Sequence, residues 1–382
     1  AVGITGATVA VVDANAIVLD ASVVSGTYTV TATAGGGITN TGVLAIDNGA
    51  TFKVDGGQSI SLNQANTFSS SVTFVPLSGT ITAVTIRDST ALELQALTTL
   101  EGLTVTAGGA VTQSGTLVIP GTTTISAVNG SSVKQDVTLG DSSNNFGTLA
   151  ITGADVTARD TNAIVLGAST VSGTYAVTAG DAVTQTGALA ITGATTISAS
   201  GYNVTLDTAT NNFANEVRII GAVVTVVDED AINLGASTVS GAYSVTAGGA
   251  VTQSGALAIT GATTISASGH NVTLNTATNN FQGAVGITGA TVAVVDANAI
   301  VLDASVVSGT YTVTATAGGG ITNTGVLAID NGATFKVDGG QSISLNQANT
   351  FSSSVTFVPL SGTITAVTIR DSTALELQAL TT

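Results

Sequence analysis

Residues 242–281 read AYSVTAGGAVTQSGALAITGATTISASGHNVTLNTATNNF. Short alternations of apolar and small polar residues, such as Tyr243-Ser244-Val245-Thr246, Val251-Thr252-Gln253, Leu257-Ala258-Ile259 and Val272-Thr273-Leu274, are divided by Ala-Gly-Gly, Ser-Gly or Asn-Asn. Alternation with a period of two marks a strand with one buried face. Gly and Asn mark turns because they tolerate left-handed backbone at little steric cost. The runs are three to five residues long and the turns follow at once, so this stretch spells strand and turn at very short spacing.

The same pattern recurs along the chain. Asn144-Asn145-Phe146 returns as Asn211-Asn212-Phe213 and Asn279-Asn280-Phe281, and in weaker form as Asn66-Thr67-Phe68 and Asn349-Thr350-Phe351. The Phe spacings of 78, 67, 68 and 70 divide a period of 283 into four similar units. Asp88, Asp160, Asp228 and Asp296 form a second column, Gln113, Gln185 and Gln253 a third, and Tyr175, Tyr243 and Tyr311 a fourth that steps by 68. Residues 284–382 copy residues 1–99 without a difference. The chain therefore reads as a window on a longer array. Ala1-Val2-Gly3-Ile4-Thr5 and Leu380-Thr381-Thr382 look like mid-array sequence, and the lack of any Met suits a mature or internal stretch.

Each unit divides into about three segments, or roughly 22–23 residues apiece, which is the length of one rung of a parallel β-solenoid with three short strands and three turns. The expected fold is all-β, a parallel β-helix (β-solenoid) with about 22–23 residues per rung and three rungs per ~70-residue repeat, running through residues 1–382 as a single continuous solenoid. Side-chain size agrees: Val, Ile, Leu and Ala suit a narrow interior and Thr suits the outward strand positions. One rung cannot fold alone. Burial of eight small side chains gives roughly 16 kcal/mol, and ordering about 22 residues costs on the order of 30 kcal/mol. About 15 inter-rung hydrogen bonds at about 1 kcal/mol each close the gap, and they require a stacked neighbour.

Composition excludes the main alternatives. Hydrophobic residues make up 44%, charged residues 8% and aromatic residues 4%, and mean hydropathy is +0.51, the reverse of a disordered chain. Thr, Ser, Gly or Asn interrupts every apolar run well short of the roughly 18 residues of a membrane-spanning helix. Val, Thr, Ile and Gly in place of Leu, Glu, Lys and Arg argue against a helical bundle. Seven basic against 23 acidic residues give a net charge of -16, which argues against nucleic acid and anionic membrane as partners. The absence of Cys fits a secreted protein that must not cross-link on export.

The strings ITGATTIS (191–198 and 259–266), VTQSG (111–115 and 251–255), TAGGAVTQ (106–113) and NVTL (203–206 and 271–274) resemble the repeat regions of large bacterial exoproteins, the filamentous-haemagglutinin-like and autotransporter-type adhesins. That resemblance implies a right-handed parallel β-helix secreted to the surface of a Gram-negative-type cell. A secretion domain or membrane barrel, which would settle the family, is not among these residues.

Candidate chemistry is sparse. The one His, His270, has Tyr202 and Gln135 as its repeat equivalents, so it reads as a solvated turn rather than as a base or ligand. No Ser is distinguished from its repeat copies as a nucleophile. Asp228-Glu229-Asp230, with the column Asp13, Asp88, Asp160, Asp296 and Asp371, reads as solvated turns, with Ca²⁺ held between rungs as the weaker alternative. Related carboxylates fall three rungs apart, about 14 Å, too far to share an ion. Lys53, Lys134, Arg87, Arg159 and Arg218 are the basic residues of one period and Trp is absent, which gives little to build a polysaccharide-cleaving site. Gly35-Gly36-Gly37 is a turn without the helix and Lys of a phosphate loop. The Thr-rich runs at 27–31 and 122–124 fall short of the unbroken Thr ladder that an ice-binding face needs, and the Phe68 to Phe351 column reads as a corner stacked every third rung. No catalytic or cofactor-binding residue is assigned, and the chain is not read as an enzyme.

The expectation is a structural extracellular fibre or stalk at the cell surface. Its partners would be itself, end to end or laterally, and a host-cell, neighbouring-cell or glycan surface. The alternative is a carbohydrate-binding or carbohydrate-cleaving β-helix.

Overall fold

In the strand Tyr243–Ala247, Tyr243, Val245 and Ala247 are buried while Ser244 and Thr246 face outward. The turn Gly248-Gly249 leads into Val251–Gln253, and Ser254-Gly255 into Leu257–Ile259. These three strands make one rung. In the computed structural model, which describes residues 1–378, each strand pairs in parallel with its counterparts above and below. Val224, Tyr243 and Thr263 stack on one face, Ile232, Val251 and Val272 on the second, and Val239, Ile259 and Phe281 on the third. Inward positions form columns of Val, Ile, Leu and Ala with accessibility near zero. The protein is an all-β parallel β-solenoid, and among the described residues there is no helix. Leu380-Thr381-Thr382 lie outside the described residues.

The repeats take about three rungs each, as expected, but the rungs of the regular repeats are shorter than the length read from the sequence, and the repeat does not close on a whole number of them. From Val224 the column climbs to Tyr243, Thr263 and Val285, in steps of 19, 20 and 22. The repeat equivalent of Val224 is Val292, which stacks on Val272 on the neighbouring face. Each such repeat thus advances about three and a third rungs, and its successor is turned by one face. The Phe column is accordingly not stacked on itself. Phe281 lies over Ile259 and Val239, and Phe351 over Ile329 and Val307, so aliphatic side chains fill the space between aromatic ones. A repeat of three whole rungs would have put Phe213 three rungs below Phe281, where Gly221 stands instead.

The chain forms two compact units, Ala1–Gly193 and Ala194–Thr382. The first shows the same three-faced rung: Tyr28–Ala32, Ile38–Asn40 and Leu44–Ile46 lie against Ala50–Val54 and the long strand Ser59–Phe68, which runs through a corner. An aromatic cluster fills its core, with Phe52 edge-on to Tyr28 and stacked on Phe74 at 5.9 Å between ring centres. Thr29, Thr51 and Thr73 align on the outer surface, but the next outward column is Thr31, Lys53 and Val75, so the Thr ladder is broken. Among the described residues, no helix is long and apolar enough to cross a membrane.

Candidate functional site

The chemically distinctive columns meet inside the corners. Asn279 is fully buried, and its Nδ2 donates to the carbonyls of Leu274 (3.3 Å) and Val295 (3.2 Å) and to Gln253 Oε1 (2.9 Å). Its Oδ1 accepts from the Leu257 N–H (2.9 Å) and from Gln253 Nε2 (2.8 Å). One amide therefore ties together three successive rungs. Two residues along, the Phe281 N–H donates to Asp296 Oδ2 (2.9 Å), while Asp296 Oδ1 accepts from the Asn298 N–H (2.7 Å). A corner N–H turned inward needs an acceptor, and a buried group without one costs about 1–3 kcal/mol. The Asn, Asp and Gln columns supply those acceptors.

The clasp recurs with small changes. Asn144 exchanges two amide hydrogen bonds with Gln113, and the Phe146 N–H donates to Asp160 Oδ2 at 2.6 Å. Asn66 is paired instead with Asn40, at 2.8 Å, and the Phe68 N–H donates to Asp88. Asn349 pairs with Asn323 in the same way. The family model for Repeats of unknown function (DUF5649) matches residues 6–75, 82–152, 153–220, 221–288 and 289–358, one clasp to each match. The chain belongs to this family. No curated protein and no solved structure matches it.

Within the DUF5649 repeats the acidic column is not the set of solvated turns that its residue type suggested. Asp88, Asp160, Asp228 and Asp296 are between 0% and 4% exposed. Burial pushes all four carboxyls above the usual carboxylate range, and the N–H donors offset part of that shift; for Asp228 the neighbouring Asp230 and Glu229 add to it. Asp13 is exposed and caps the Asn15 N–H, and Asp371 is half-buried beside the Phe351 N–H.

The Asp228-Glu229-Asp230 cluster is split by this geometry. Asp228 turns inward and accepts from the Phe213 N–H and the Asp230 N–H, each at 2.9 Å. Glu229 and Asp230 remain in solvent and share the Asn212 amide at 3.5 and 3.1 Å. Ca²⁺ takes six to eight oxygen ligands. Both Asp228 oxygens already hold N–H donors, so the three residues do not fit that ion. Among the described residues no three His, Cys, Asp or Glu side chains converge as a metal site.

His270 is exposed in a turn that follows Gly269 at φ +78°, as read from its repeat equivalents; its N–H donates to the Ala267 carbonyl. Tyr202, its equivalent, is 44% exposed. Tyr175, Tyr243 and Tyr311 point inward. Their hydroxyls are fully buried beside Ser169, Ser237 and Ser305 without a hydrogen bond of ordinary geometry, and burial pushes their acidity well below that of a solvated phenol.

Asn40 and Asn323, which replace Gln in two clasps, escaped the sequence reading because their chemistry breaks the Gln column. Spacing was the available signal. Asn40 precedes Asn66 by 26 residues, the same interval that separates Gln253 from Asn279.

Proposed function

We propose that the chain is a segment of a structural extracellular fibre or stalk, built by continuous or end-to-end stacking of rungs and serving reach, coating or adhesion at a bacterial cell surface. One observation carries this reading. The repeated Asn, Gln and Asp columns, where chemistry would otherwise concentrate, are turned inward and taken up in holding rung to rung. Outward strand positions are mostly Thr, Ser, Ala and Val, with scattered single charges such as Lys53, Glu93 and Arg159. A family of repeats with that division of labour fits a surface whose length matters more than any one point on it. The negative charge suits an extended protein that must not clump along its sides.

Electron microscopy of the purified chain tests the proposal. Uniform filaments a few nanometres wide are expected, lengthening with protein concentration. Compact monodisperse particles with glycan-degrading activity would overturn it in favour of a carbohydrate-cleaving β-helix.

A further inference from the structure

Two pockets of the first unit flank a single corner. One, of about 490 Å³, has Phe68 and Leu92 in its floor and Ser69, Ser70 and Ser71 on one wall, with Glu93 and Gln95 opposite. The other, of about 220 Å³, is lined by Arg87, Thr106, Asn129 and Gly130. They adjoin through the stacked turns at 89–91 and 108–110, each of which contributes to both. The larger has the size of a small-molecule site, roughly 300–1,000 Å³, and the smaller suits one charged group beside it.

Their chemistry differs in a directed way. The smaller pocket presents donors. The Arg87 side chain forms no hydrogen bond or ion pair among the described residues. Asn129 uses Oδ1 to hold its loop, accepting from the Ser131 and Val133 N–H groups, which leaves Nδ2 to donate outward. Asp88, the acid in the wall, has its oxygens occupied by Phe68 and Thr90. The larger pocket combines three Ser hydroxyls with a small apolar floor, while the Gln95 Nε2 beside them is taken up by Glu93 (2.8 Å) and the Ser114 hydroxyl (2.7 Å). An exposed guanidinium without an ion pair, beside the Asn129 amide and the Ser hydroxyls, offers the donors that an anionic, hydroxyl-bearing ligand needs.

We propose that this corner binds a short acidic oligosaccharide, its carboxylate held by Arg87 and Asn129 and its hydroxyl-rich remainder lying along Ser69–Ser71. The proposal rests on the surface-attachment part of the fibre reading. It places the attachment point in the irregular repeats, once in each 283-residue period, rather than in every DUF5649 repeat.

Calorimetric titration of the full chain with trigalacturonate tests it, with a neutral galactose trimer and an acidic Glu-rich peptide as comparators. One site per chain is expected, weakened by salt, with little binding of the neutral trimer or the peptide. Arg87→Gln is expected to weaken binding about tenfold or more, and Thr106→Val to weaken it less; both positions face solvent and should leave the fold intact by circular dichroism. Absence of binding, equal binding of the neutral trimer, stronger binding of the peptide, or Arg87→Gln at wild-type affinity would each overturn the proposal. Microscopy of the same samples separates the two readings, since filaments that form without binding trigalacturonate leave the fibre standing and remove only the site.

Discussion

The repeat at 221–288 and the repeat at 82–152 share an interior and differ at their corners. In the first, the column Val224, Tyr243, Thr263 and Val285 climbs in steps of 19, 20 and 22, and each corner is a tight turn. In the second, the column from Val84 through Leu103 and Thr123 to Leu149 climbs in steps of 19, 20 and 26. The additional length is taken up outside the stack, where Val128 and Lys134 form an antiparallel bridge at the neck of a small loop. Val118–Ala127 and Asn145–Gly153, of ten and nine residues, run straight through corners that the regular repeat turns sharply. Both repeats nevertheless keep the clasp, with Asn144 or Asn279, Gln113 or Gln253, and Asp160 or Asp296 in equivalent contacts. Sequence can therefore enter or leave a corner without loss of register so long as the clasp and the inward columns are kept.

The strongest way to break that comparison is to remove the clasp. Asn279→Ala strands the Leu257 N–H, takes two hydrogen bonds from the Gln253 amide and leaves the Leu274 and Val295 carbonyls without that donor. Asn144→Ala does the same to the Leu117 N–H, the Gln113 amide and the Leu139 carbonyl. Each is expected to lower stability by about 3–5 kcal/mol, since every buried unsatisfied group costs about 1–3. Urea denaturation measures this. Equal losses would show that the loop leaves the clasp untouched, while a much smaller loss for Asn144→Ala would show that the irregular repeat is held by something else.

A smaller effect separates the two repeats. A Cβ on Gly255 would lie 2.3 Å from the Ala236 backbone nitrogen, and one on Gly115 would lie 2.7 Å from that of Ala96. Overpacking costs typically about 1–3 kcal/mol. Gly255→Ala should fall near the top of that range and Gly115→Ala near the bottom, because the closer approach at Gly255 forces the larger backbone shift. Thermal melting of the two variants checks the order.

Acidity acts on both repeats with one sign. Asp88, Asp160, Asp228 and Asp296 are buried with raised affinity for protons, so the folded chain binds more protons than the unfolded chain between the unfolded value, about 3.9, and the folded one. Stability then falls as pH rises through that window and is greatest on its acid side. Asp155, exposed and held low by the Thr174 N–H and hydroxyl, opposes the trend alone. Melting temperature should rise as pH is lowered through the folded values toward the unfolded one, about 3.9. A fall over that range would show that the N–H donors outweigh burial.

Much of this was legible in the sequence, and the gaps have physical causes. Alternation and turn residues showed the strands, because inward positions in a narrow coil must be small and apolar. The Phe, Asn and Gln columns showed the repeat. Their direction was not legible: at a corner the alternation is interrupted, so nothing in Asn279-Asn280 or Asp228-Glu229-Asp230 says which residue turns in. Asp228 was read as solvated because a carboxylate usually is, and the structure buries it because the Phe213 N–H lacks another acceptor. Rungs of the regular repeats are shorter than a third of the repeat because the repeat closes on about three and a third rungs, and nothing in the spacing of the columns along the chain reveals that fraction. The corner pockets were invisible, since Arg87 and Asn129 are far apart in sequence and meet only through the stack.

Tyr243→Phe gives a modest gain. The Tyr243 hydroxyl is buried without a hydrogen bond of ordinary geometry, so its removal is expected to raise stability by up to about 1 kcal/mol. The irregular repeat supplies its own control, because Leu103 occupies that column, and Leu103→Tyr should be less stable than Leu103→Phe by a similar amount. A loss of stability on Tyr243→Phe would instead reveal a buried water held by that hydroxyl.

The smallest expected effect is the most telling about the comparison. Replacement of residues 128–136 by Ser-Gly-His-Asn would give the irregular repeat the turn that joins Ala267 to Val272 in the regular one. The inward residues on either side, Ala127 and Val137, correspond to Ala267 and Val272 and are equally buried. The excised loop has two internal backbone hydrogen bonds, from the Asn129 N–H to the Val133 carbonyl and from the Ser132 N–H to the Asn129 carbonyl. It also accepts from the Val111 and Ala154 N–H groups of the stack, which in the regular repeat the Asn271 and His270 carbonyls serve through the Val251 and Ala290 N–H groups. The Val128 N–H bond to the Ala107 carbonyl is given up. Stability should change by no more than about 0.5 kcal/mol, because loop closure depends only weakly on length and a single half-exposed hydrogen bond to the stack is worth little net. Trigalacturonate binding should nonetheless fall, since Asn129 and Gly130 form one wall of the smaller pocket. If the excised chain stays folded and loses the ligand, the regular repeats carry the stack and the irregular ones carry what is attached to it. A loss of stability well beyond that small change would mean that the loop braces the corner, and the two kinds of repeat would then differ in how they fold.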